Sequence, residues 1–145
     1  MLREIAENAR KERESETSVL TGFCYENAEC MSRHLEQNGI NHELHYIGLI
    51  EDIIQFSDAS LEDCLHASET GEYRDNVPST ISELPDEANH YTIVVKAGGQ
   101  NIVVEICTEV RDERFGGIYV DSWPEKDYLS LEDSVLNKKS KFSHY

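Results

Sequence analysis

The sequence predicts an α+β domain with an antiparallel sheet. Three observations predict it: helical apolar spacing opens the chain, β-branched runs fill its second half, and a Gly-Gly pair joins two of those runs. At 145 residues the length suits one core, so a single domain over 1–145 is expected.

Residues 2–16 put Leu2, Ile5, Ala6 and Ala9 on one stripe of a charged amphipathic helix, the leading segment of 1–18. From Cys24 to Gln37, Ala28, Met31 and Leu35 recur at helical spacing. Asn38-Gly39 then supplies a stop, glycine being suited to the left-handed position after a helix. Residues 42–50 read as a strand. Within the insert 51–88, Ser60 opens a short helix running to about Glu69. One helical turn is expected over 80–84, between Pro78 and Pro85. Segments 90–96 and 101–107 form a hairpin closed by Gly98-Gly99, and 117–121 adds another short strand. Residues 130–133 cap a last short helix, and 138–145 form a loose basic tail.

Thirteen basic against 29 acidic side chains give a net charge of −16. That surplus argues against nucleic-acid binding, which needs Lys and Arg against phosphates, and against anionic membranes. It fits solubility, or a halophilic, high-salt cytoplasm where the screening length falls to roughly 3 Å at 1 M. No apolar run reaches the ~18 residues of a membrane span, and residues 1–10 lack the core of a secretory signal. Four cysteines without a signal are expected as free thiols in a cytoplasmic protein.

Cys24 follows Thr21-Gly22-Phe23 at the start of the second predicted helix. The positive end of a helix stabilises a thiolate there. With Gly98-Gly99 as the turn, Thr92 faces Glu105 and His90 faces Cys107. Side chains alternate along strands, so His90, Thr92, Val94, Val103, Glu105 and Cys107 share one face. Tyr91, Ile93, Val95, Ile102, Val104 and Ile106 form the other, almost wholly apolar face. An imidazole and a carboxylate together on so apolar a hairpin read either as a structural pair or as a base with its orienting acid.

The block Gly22-Phe23-Cys24-Tyr25-Glu26-Asn27-Ala28, the strand through Tyr46-Ile47-Gly48, His90 opening a strand and an acid fifteen residues later resemble the transglutaminase-like cysteine proteins of the papain-like superfamily. The resemblance covers about 20–50 and 89–108. It implies a nucleophile helix packed on a small antiparallel sheet and a Cys24-His90-Glu105 triad, with Glu105 where the family carries Asp. It further implies a thiol peptidase, amidase or acyltransferase acting on a peptide or protein. The backbone N–H of Cys24 is the one oxyanion donor that can be named. The alternative is a non-catalytic acidic module on the same scaffold that engages a basic protein partner.

No cofactor and no metal is expected, because neither Cys-x-x-Cys nor His-Glu-x-x-His is present. Cys30 and His34 are four apart and share a helical face, while Cys30, Cys64 and Cys107 read as small apolar fillers. The acidic runs 12–16 and 109–113 read as solvated faces.

Overall fold

The structure is a computed structural model and describes residues 1–136. It is a mixed α+β fold. The elements in order are α1 (Leu2–Glu16), α2 (Cys24–Gln37), β1 (Glu43–Leu49), α3 (Ile50–Phe56) and α4 (Leu61–Thr70). Two 3-10 turns, Ile81–Glu83 and Asp86–Ala88, precede β2 (Asn89–Ala97) and β3 (Gln100–Glu105). Then come β4 (Tyr119–Ser122), β5 (Tyr128–Leu129) and β6 (Val135–Leu136). The strand order is β4-β3-β2-β1-β5, with β6 also on β1. Among the described residues no helix is long and apolar enough to cross a membrane.

The chain divides into two compact units, each discontinuous in sequence. The first holds Met1–His45, Tyr91–Trp123 and the described residues from Val135; the second holds Tyr46–His90 and Pro124–Ser134.

In the first unit, α1 buries Ile5, Ala6 and Ala9, and α2 buries Ala28, Met31 and Leu35. These six share one core with Leu44 and with Ile93, Val95, Val104 and Ile106, the apolar hairpin face the alternation predicts. Burial of a side chain such as Leu35 or Met31 contributes about 1.5–3 kcal/mol. The hairpin register runs from Ile93↔Val104 to Ala97↔Gln100. Gly98 and Gly99 have φ +59° and +78°, the positive pair that a tight two-residue hairpin needs. Arg10 fastens α1 to the segment between β3 and β4 by donating to the carbonyls of Ile106 and Gly116, both at 2.7 Å.

The second unit has its own core of Ile50, Ile53, Cys64, Ala67, Leu84, Leu129 and neighbours. Short elements are held by local polar bonds. Ser60 accepts from the Asp63 N–H at 3.1 Å, and Gly71 ends α4 in the left-handed region. Thr80 and Glu83 form a reciprocal capping box on the first 3-10 turn. Gly48 leaves room for Ile53 and Leu84, whose Cδ1 atoms would lie 2.7 and 2.8 Å from an added Cβ.

Several expectations need correction. Residues 130–133 do not open a helix. The Leu131 N–H donates to Ser134 Oγ, and the Asp133 carboxylate accepts from the Ile81 N–H at 2.8 Å. The acid that would sit in a helical first turn instead bonds to a distant segment. The chain then forms β6. Part of the insert that shows no sequence pattern is a helix, α3, and β5 also escapes prediction; seven and two residues are too few to display a period. β3 stops at Glu105, and β4 starts at Tyr119. The expected tail from Lys138 lies outside the described residues.

Candidate functional site

Cys24 is the first residue of α2. Two features set that helix start. Gly22 takes φ +88°, and the buried Asn27 braces the turn, donating from Nδ2 to the Leu20 carbonyl at 3.0 Å. Asn27 Oδ1 in turn accepts from Arg13 Nε at 3.1 Å, which ties α2 to α1. Phe23 occupies the N-cap and contributes no side-chain hydrogen bond to the first turn. Of the four free thiols, Cys24 alone is half-exposed, while Cys30, Cys64 and Cys107 are buried. A cavity of about 430 Å³ borders the segment leading into Cys24, lined by Thr17, Leu20, Thr21, Arg10, Cys107 and Gly116.

Glu105 also belongs to the first unit and is 6% exposed at the end of β3. The register of the hairpin sets Thr92 across from it, and the Thr92 hydroxyl donates to Glu105 Oε2 at 2.6 Å.

His90 is the last residue of the first stretch of the second unit and is 1% exposed. Its Nε2 lies 3.3 Å from the Tyr128 hydroxyl, with the two rings 5.3 Å apart. The geometry therefore gives Glu105 a threonine and His90 a tyrosine as neighbours within their respective units.

Burial dominates the other thiols. It pushes the Cys30 thiol up to about 12, helped by the adjacent Glu12 carboxylate, and Cys64 up to about 11. The Cys107 thiol is also raised by burial, against a contact from Thr21 Oγ1 at 3.9 Å. All three are buried, as fillers are, and Cys30 in addition meets the Glu12 carboxylate.

One group was not foreseen. On α2, Cys30 and His34 do share a face, and Glu12 of α1 lies against both. Glu12 Oε2 is 3.2 Å from Cys30 Sγ, and Oε1 is 3.1 Å from His34 Nε2. All three donor atoms lie within 4.8 Å of one another. Arg33 holds Oε2 at 2.7 Å and Glu29 at 3.0 Å. The sequence displays the Cys30–His34 spacing, whereas Glu12 belongs to the acidic run 12–16 that reads as a solvated face. The available signal was the Ile5-Ala6-Ala9 stripe, which continues at helical spacing toward Glu12 and puts it at the edge of the α2-facing side.

Comparison with protein-family models, with curated proteins and with solved structures returns no match.

Proposed function

We propose that this chain is a thiol-dependent acyl-transfer enzyme on a transglutaminase-like core, a cysteine hydrolase or acyltransferase acting on a peptide or protein amide. The observation that carries the reading is Cys24: the half-exposed thiol among four, on the first residue of a fourteen-residue helix whose N-cap offers no competing side chain. Cys24 is the nucleophile. His90 takes its proton, and Glu105 orients the imidazole and stabilises its charged form. The thiolate attacks the carbonyl, and the backbone N–H at Cys24 supports the oxyanion. The proton held by His90 passes to the leaving amine, and the acyl-enzyme then yields to water or to a second amine.

A second reading has its own support. Glu105 Oε2 is engaged by Thr92, and His90 Nε2 lies by Tyr128, as expected of polar groups that stabilise a sheet rather than react. On that reading the chain is a non-catalytic acidic module for a basic protein partner. Brief alkylation at pH 6, read by mass spectrometry, separates the two. The enzyme reading expects selective modification of Cys24, at least about tenfold slower in His90→Ala and less affected in Glu105→Gln. Equal labelling of wild type and His90→Ala would make Cys24 an ordinary thiol and leave the module reading in place.

A further inference from the structure

We propose that Glu12, Cys30 and His34 form a binding site for one thiophilic divalent cation of the zinc class, which staples α1 to α2. This inference stands apart from the acyl-transfer reading and uses none of its residues.

The donor set comes first. Sulfur, imidazole nitrogen and carboxylate oxygen are the three ligand types zinc accepts, and three protein ligands with a fourth place for water form a recurrent arrangement. Residues four apart on a helix present their side chains to one side, which brings Cys30 and His34 together without any loop. Ligand bonds of about 2.0–2.3 Å at tetrahedral angles set donor atoms roughly 3.3–3.6 Å apart. Glu12 Oε1 is already close to that spacing from His34 Nε2, at 3.1 Å, while Cys30 Sγ lies 3.2 Å from the other oxygen, Oε2, and one ligand atom from each residue lies within 4.8 Å of the others. Closing the three donors onto one ion requires the Glu12 carboxylate to present a single oxygen to both partners.

Charge and access agree. A thiolate and a carboxylate together match the two positive charges of the ion. Arg33, already paired with Glu29, can keep one Glu12 oxygen while the other binds metal, so it orients the carboxylate. Cys30 is 1% exposed and forms the floor, whereas the Glu12 side chain is 41% and the His34 side chain 16% exposed, leaving an approach from solvent. Binding replaces the Cys30 S–H proton, which leaves to solvent. His34 binds through the lone pair of its neutral ring, and no oxidation state changes. The absence of Cys-x-x-Cys made a metal unexpected from sequence, because the third ligand comes from another helix.

The test uses the full chain without a histidine tag, stripped with chelator and titrated with cobalt(II) as the probe. One equivalent should produce a thiolate-to-cobalt charge-transfer band with visible bands of tetrahedral intensity, and zinc should erase both. Cys30→Ser should remove the charge-transfer band, and Cys24→Ser should keep it. His34→Gln and Glu12→Gln should each weaken binding by about tenfold or more. Zinc should raise the melting temperature of wild type by more than that of Cys30→Ser, His34→Gln or Glu12→Gln at the same concentration. A wild-type titration without the charge-transfer band would overturn the proposal, as would a band that survives Cys30→Ser. If Cys30→Ser does not fold, unchanged cobalt affinity in both His34→Gln and Glu12→Gln overturns it instead.

Discussion

Cys24 and Cys30 stand six residues apart on the same helix and meet opposite environments. Cys24 is the first residue of α2 and half-exposed, after an N-cap, Phe23, that makes no side-chain cap bond. Cys30 is buried mid-helix, with the Glu12 carboxylate 3.2 Å from its sulfur and the Ala9 carbonyl 3.5 Å away. At Cys30, desolvation and the neighbouring negative charge keep the thiol protonated. The lesson is that two thiols of one helix are set apart by exposure and by the charge beside them.

Labelling kinetics in metal-free protein give the largest expected contrast. With its pKa pushed up to about 12, Cys30 holds at pH 8 a thiolate fraction roughly a thousandfold below that of an ordinary thiol. Burial slows it further. Cys24 should therefore be alkylated to completion before Cys30 reacts, with rates at least about a hundredfold apart. Peptide mapping over time measures this, and comparable rates for the two sites in folded protein would break the comparison.

Asn27 sharpens it. Its buried amide joins the Leu20 carbonyl and Arg13 to the first turn of α2. Asn27→Ala removes both bonds and should destabilise the fold by about 1–3 kcal/mol, seen as a lower urea midpoint. Selective Cys24 labelling at pH 6 should decline as the first turn loses its brace, while Cys30 stays protected by the core around Met31 and Leu35. Loss of protection at Cys30 instead would mean that Asn27 holds the whole helix rather than its start.

How much of this was legible follows from period and length. Helix α2 was readable to its ends because Ala28, Met31 and Leu35 repeat over fourteen residues and Gly39 stops it. The hairpin register was readable because Gly98-Gly99 fixes the turn, and from it followed the Thr92–Glu105 pairing. In the second unit the signals are single caps such as Ser60 and Thr80. Its ties also include long-range ones, such as Ile81 to Asp133 and Glu132 to Ser79, that join residues about fifty apart, and no local pattern encodes them. Among site residues, Cys24 was legible from the boundary of α2. Glu12 was not, since its meeting with Cys30 and His34 depends on how α1 packs against α2.

Glu12 carries the smallest expected effect and the one most specific to Cys30. Its carboxyl is held below the ordinary 4.5 first by the Cys30 contact and then by Arg33. A carboxyl lowered in the folded state contributes stability above its unfolded pKa and loses it as pH falls through the lower folded value. Because the Glu12 side chain is 41% exposed and Arg33 47%, solvent screening limits that contribution to less than about 1 kcal/mol. Metal-free Glu12→Gln should thus be slightly less stable than wild type at pH 7, and the difference should vanish as pH drops well below 4.5. In the same variant, Cys30 loses the neighbouring charge but keeps the burial that is the first cause of its raised pKa. Its alkylation should quicken only a few-fold, with Cys24 unchanged. Urea unfolding across pH, paired with labelling at pH 8, measures both. A Cys30 that becomes as reactive as Cys24 in Glu12→Gln would show that the carboxylate, rather than burial, separates the two thiols of α2.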